Sequence, residues 1–244
     1  MKQSRRIVAL LLALIIVSAL LPVSSFAAYK YQNLKFNQWY KLKDYDYDKY
    51  DTVYKIRVTA DTAIIMNWKN QKDDDVYATI YSDKECDESV EDILDSNKSS
   101  GQNGVVLYPG TYYLRMHDDK ETTQVKFIKK SVKSINKPNY CLQNAISLKA
   151  KKQVEFAQTQ KQNYDRWYKI KLTKSQKITI TTNKIPESYY IYDSNLNEIR
   201  CKGNSSNHTI TTYGNQSKGT YYIVFYDNVS ELYDNGHYHI FSWK

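Results

Sequence analysis

Side chains that could hold a metal or act as nucleophiles are few in this chain and fall in short runs. The stretch DYDYDKYD puts Asp44, Asp46 and Asp48 at alternate positions, the one-three-five spacing with which a loop wraps carboxylates around calcium. An EF-hand loop also needs a glycine at its sixth position and a glutamate at its twelfth, and Lys49 and Lys55 stand there instead. A calcium site of another kind, built from this run or from Asp73, Asp74 and Asp75, is the metal reading. A solvated acidic loop competes with it, because the second half of the chain has QTQKQNYD and NKIPES at the corresponding places. His237 and His239 lie two apart, so on a strand both rings leave one face. Two imidazoles are only part of a zinc site, and surface histidines are expected.

Cys86, Cys141 and Cys201 are an odd set with no C-x-x-C spacing, which argues against structural zinc and leaves at least one thiol unpaired within the chain. Cys86 and Cys201 each follow a strand ending in Ile-Tyr, so they are expected as unpaired residues of related loops. No HExxH, GxSxG or P-loop occurs. The chemistry available therefore points away from an enzyme: no catalytic residue is assigned, and calcium is the one cofactor considered.

The first residues read as an export signal. Lys2, Arg5 and Arg6 precede an uncharged apolar run from Ile7 to Leu21, Pro22 breaks it, and Ser25 and Ala27 are small residues of the kind a signal peptidase recognises. The run is shorter than the roughly 18 residues a spanning helix needs. Residues 1–27 are therefore expected to be cleaved, leaving a secreted, extracellular chain with no membrane insertion.

Composition then indicates strands. The chain has 24 tyrosines against 7 glycines and 4 prolines, and Tyr, Ile, Val and Thr favour half-buried sheet surfaces. The formal charge of +9 is unevenly spread: residues 29–132 hold 16 Lys/Arg against 18 Asp/Glu, while 133–244 hold 16 against 8. The basic side chains of the second half are scattered along strands, which with export argues against nucleic acid as a partner. Affinity for an anionic extracellular polymer, or a merely solvated basic surface, fits better.

Internal repetition organises the rest. Shifted by 114 residues, Leu34–Met66 aligns without a gap to Leu148–Ile180 with nine identities, among them Leu34/Leu148, Tyr54/Tyr168, Ile56/Ile170 and Ile64/Ile178. Each copy reads as YKIRV or YKIKL, then AIIMNW or KITITT as the second arm of a hairpin, then VYATIY or SYYIY, a GTYY strand and a closing strand. Glu88–Ser96 alone looks helical. The expected architecture is all-β: two tandem jelly-roll-like β-sandwich domains, 28–130 and 140–244, joined by a linker over 131–139. Within the GTYY strands, alternation sends Tyr112, Leu114 and Met116 inward and Tyr113, Arg115 and His117 outward; Tyr221, Ile223 and Phe225 oppose Tyr222, Val224 and Tyr226. The preceding glycine is expected to supply a backbone conformation that other residues resist.

YDTVYKI and YDRWYKI near the start of each copy, with GTYYLRM and GTYYIVF near the end, resemble the bacterial pre-peptidase C-terminal domain. The resemblance covers essentially the whole mature chain, twice. It implies small jelly-roll-like sandwiches of the kind appended to secreted bacterial enzymes, including the collagen-binding modules of clostridial collagenases; some members depend on calcium. No accompanying peptidase domain is expected here. The expected function is a non-catalytic binding or adhesion protein whose outward Tyr113, Arg115, Tyr222 and Tyr226 hold an extracellular matrix-like protein or a cell-surface polysaccharide. The alternative is a carbohydrate-binding module, with Trp39, Trp68, Trp167 and Trp243 as further stacking groups; a peptidase inhibitor or enzyme lacks any motif.

Overall fold

A computed structural model describes residues 30–43, 52–72, 76–93, 99–118, 121–226 and 235–244. The export signal expected over 1–27 and all six aspartates of the calcium reading (Asp44, Asp46, Asp48, Asp73, Asp74 and Asp75) lie outside the described residues.

The first half contributes β1 (Lys30–Asn33), β2 (Trp39–Lys41), β3 (Thr52–Val58), β4 (Thr62–Lys69), β5 (Val76–Tyr81), β6 (Ser89–Asp92), β7 (Ser100–Leu107), β8 (Gly110–Asp118) and β9 (Gln124–Ser131). A one-turn helix α1 (Val132–Ile135) follows. The second half contributes β10 (Ile146–Ser147), β11 (Val154–Gln158), β12 (Arg166–Leu172), β13 (Thr179–Thr182), β14 (Ser188–Tyr192), β15 (Cys201–Asn204), β16 (Thr209–Thr212), β17 (Gly219–Tyr226) and β18 (Gly236–Trp243). The fold is a layered β-sandwich, and helix is confined to single turns among the described residues.

Three sheets make the layers: β1-β3-β8-β5-β6, β10-β12-β17-β14, and one long sheet ordered β15-β16-β13-β18-β7-β4-β9-β2, with β11 on the other edge of β18. Between the five-stranded sheet and the long sheet lies a core built on Ile56, Ile64, Met66, Ile80, Leu114 and Phe127. Between the four-stranded sheet and the other end of the long sheet lies a second core built on Ile170, Ile180, Ile191, Ile223, Phe225 and Phe241. Aligned residues do the same work in both: Leu34 N–H donates to the Lys55 carbonyl at 3.0 Å, and Leu148 N–H to that of Lys169 at 2.8 Å.

The expected hairpin is corrected. β3 pairs with β8 in one sheet while β4 pairs with β7 and β9 in another, and β12 and β13 divide in the same way. The two strands therefore lie in opposite layers and turn Ile56 and Ile64 to the same core, so the turn between them is an arch from one sheet to the other. The helix expected over Glu88–Ser96 is corrected for its described part, since Ser89–Asp92 is an edge strand on β5 and Ile93 is buried; 94–96 lie outside the described residues. Thr79 Oγ1 donates to Asp92 Oδ1 at 2.6 Å across that pairing, and extended backbone is what brings the two together.

Residues 131–139, expected as the linker, pack against the rest of the fold. Val132 and Ile135 of α1 are buried with Ala63, Ile65, Val106, Ala157, Tyr238 and Ile240 in a third apolar cluster on the outer face of the long sheet. Arg166, fully buried, donates to the carbonyls of Lys137 and Ala157 at 3.3 and 3.2 Å and lies over the Tyr140 ring at 5.0 Å. Asn139 exchanges two hydrogen bonds with the Trp167 backbone.

The halves share the long sheet. β18 pairs with β13 over its last residues and with β7 at Gly236 and His237, and between those stretches Asn183 takes the ladder's place. Its Oδ1 accepts from Ile240 N–H at 2.8 Å; its Nδ2 donates to the Tyr238 carbonyl at 3.2 Å and to Asn103 Oδ1 of β7 at 2.8 Å. A charged contact, Lys130 to Glu155 at 2.7 Å, and a hydrogen bond from Gln160 N–H to Tyr108 Oη at 3.1 Å join the halves elsewhere.

Candidate functional site

The two GTYY strands place their tyrosines as alternation requires. Tyr112 and Tyr221 are buried, and each hydroxyl donates to the carbonyl four residues earlier, Tyr108 at 3.2 Å and Ser217 at 2.8 Å. Neither preceding glycine has a positive φ, which corrects the expected reason for it. At Gly110 the reason is room: an added Cβ would meet the Tyr112 ring at 3.2 Å, while at Gly219 the Tyr221 ring lies at 3.7 Å, ordinary contact.

Outward, the two copies differ. Tyr113 is half-buried and meets Tyr31 edge-on, centroids 6.0 Å apart, and Tyr31 Oη donates to the Lys84 carbonyl at 3.0 Å. The loop carrying Lys84 is folded around Asp83, whose carboxylate accepts from the N–H groups of Glu88 and Asp87, holding its pKa below the usual range. Cys86, at φ 61°, is buried in that loop; burial pushes its thiol up to about 11 against the opposing influence of nearby Arg115. Tyr113 and Arg115 thus lie on a face partly covered by the chain itself.

The face around Tyr222 is built differently. Register across β12, β17 and β14 gives one row of Trp167, Val224 and Tyr190 and the next of Lys169, Tyr222 and Tyr192. Trp167 and Tyr192 rings are 5.9 Å apart and 12° from parallel, Tyr190 and Tyr192 6.1 Å and 21°, and Tyr222 stands edge-on to Trp167 at 6.5 Å. Val224, expected outward, does point to this face and is nevertheless buried, beside the rings that flank it in its row. Tyr226 continues the same face opposite Ser188. Burial raises the Tyr192 hydroxyl pKa, with Glu198 next in effect. Tyr190 and Tyr192 extend the set expected from the sequence, and the alternation in SYYIY was the signal for them.

Of the four tryptophans, Trp68 and Trp243 are core residues, Trp167 is half-buried on the aromatic face and Trp39 is 41% exposed at the far edge of the long sheet. His239 is wholly buried, stacked on Phe156 at 4.7 Å with Nδ1 3.3 Å from the Lys184 carbonyl, which corrects the expectation of surface histidines. β18 turns this face to the second core, and Phe241 and Trp243 follow His239 there. All three cysteines are unpaired with one another; Cys201 lies on β15, not in a loop, and burial pushes its thiol up to about 11. Among the described residues no group of three His, Cys, Asp or Glu could hold a metal ion. An open cleft of about 490 Å³ lies between α1 and β11, with Lys137, Asn139, Glu155 and Tyr168 in its lining.

No protein-family model and no curated protein matches the chain. Among solved structures it is similar to the CUB1-EGF-CUB2 domains of rat MASP-1, at 13% identity over 87% of this chain and 99% of that one, with a TM-score of 0.24.

Proposed function

We propose that the chain is an exported, non-catalytic binding protein, of the pre-peptidase C-terminal kind, that holds an extended extracellular protein or polymer against the aromatic face of its second half. The observation that carries this is the continuous array of Trp167, Tyr190, Tyr192 and Tyr222 across three hydrogen-bonded strands. Rigid aromatic side chains give large contact area at little entropic cost, and a sheet holds them in register. The corresponding face of the first half is partly taken up by Tyr31 and the Cys86 loop, so the second half is the binding half. A polysaccharide is the second ligand class, favoured by the near-parallel Trp167, Tyr192 and Tyr190 rings.

The test uses immobilised matrix proteins and a glycan array probed with the mature chain and with Y190A/Y222A. Binding to one ligand class that disappears in the double variant, at an unchanged melting temperature, supports the reading. Binding that survives the substitutions, or a large fall in melting temperature on making them, overturns it.

A further inference from the structure

A second surface, remote from the aromatic face in sequence and sheet, is built for negative charge. Trp39 lies on the edge strand β2, and its register partner on β9 is Lys126, which pairs with Asn67 of β4, which pairs with Gln102 of β7. The neighbouring row holds Lys41, Gln124, Lys69 and Ser100 on the same strands. Alternation puts both rows on the outer face of the long sheet, since Trp68 and Val125, the pair between them, point into the first core. Four strands at about 4.8 Å spacing make the rows about 14 Å long.

Two ammonium groups converge on the one exposed indole: Lys69 Nζ is 4.3 Å and Lys126 Nζ 5.1 Å from the Trp39 ring centroid. Neither forms an ion pair with a carboxylate among the described residues, whereas Lys41 is 3.4 Å from Glu121. Like charges held close repel, and the indole face offsets that only in part. This concentration occurs in the half of the chain that has fewer basic than acidic residues, so bulk composition does not account for it. Beside the cations stand Gln124, Gln102, Ser100 and Asn67, uncharged groups that can donate and accept; the buried Asn67 Nδ2 has no hydrogen-bond partner among the described residues.

We infer that this face binds an acidic polysaccharide. Its carboxylates would meet Lys69 and Lys126, and its hydroxyls the amide and serine side chains beside them. The inference stands apart from the aromatic face and does not depend on it.

The experiment measures binding of polygalacturonate to the full mature chain by titration calorimetry, with neutral dextran and a single-stranded DNA of matched charge as comparisons. Binding should weaken steeply with salt, and K69Q/K126Q should lower affinity about tenfold. K149Q/K174Q removes the same charge from exposed positions in the other half and should leave affinity within about twofold. Equal losses in the two lysine pairs, no loss in K69Q/K126Q, or equal binding of the DNA would each overturn the inference. All these positions are partly or fully exposed, so folding is preserved, and melting temperature checks it.

Discussion

Replacing Asn183 by alanine tests how the halves are joined. The substitution strips the side-chain partner from Ile240 N–H and from the Tyr238 carbonyl, while Asn103 Oδ1 loses one donor and keeps Gly104 N–H at 2.8 Å. A net hydrogen bond is worth about 0.5–1.5 kcal/mol, and a shielded group left unpaired costs about 1–3 kcal/mol. Asn183 is half-buried, so water recovers part of this, and the expected loss is about 2–4 kcal/mol. Urea unfolding followed by circular dichroism reads it: with a slope near the upper end of about 1–3 kcal/mol per molar, the midpoint falls by about 1 M. Native-state hydrogen exchange should quicken at Ile240 and along β7 while β12 and β17 change little. N183D sharpens the test, because its carboxylate would face two acceptors. The folded pKa of that carboxyl would rise above its unfolded value, so stability would be fullest in acid and be lost as pH climbs through the folded value. A midpoint shift below about 0.2 M for N183A, or an N183D variant more stable at neutral pH than in acid, would refute the junction described here.

The paired glycines should part company on substitution: G219A stays within about 0.5 kcal/mol of the parent, while G110A, with the Tyr112 ring in its way, costs about 1–2 kcal/mol by thermal melting. Cys86 and Cys201, both with thiols near 11, should be alkylated at pH 8 roughly a hundredfold more slowly than an ordinary thiol, as mass spectrometry of the native chain would read. Since folding raises these thiol pKa values, stability should fall as pH climbs from the ordinary thiol range toward 11, and the fall should shrink in C86A/C201A.

Period-two patterning carried much of this far from the sequence. It assigned Tyr112 and Tyr221 to the core and Tyr113 and Tyr222 to the outer faces, because a strand allows a side chain only two directions. It could not tell an arch from a hairpin, since β3 and β4 have the same alternation whether they pair with each other or with strands of different sheets. The Glu88–Ser96 reading failed for a related reason: a short charged segment has weak preferences, and the edge of β5 decided its conformation. His239 was misplaced because nothing local distinguishes an imidazole at a solvent edge from one stacked under Phe156.

The amino-acid sequence by itself determined the strand content, the repetition of one pattern and the inward face of each strand, because these follow from local alternation and from residues two apart. Only the tertiary structure decided that the halves share a continuous sheet, that one outward face is partly covered by the Cys86 loop while the other exposes Tyr190 beside Tyr192, and that Lys69 and Lys126 meet over Trp39. Those outcomes depend on which strand edges pair across long sequence separations, and edge pairing is set by packing and loop closure, which local pattern does not encode.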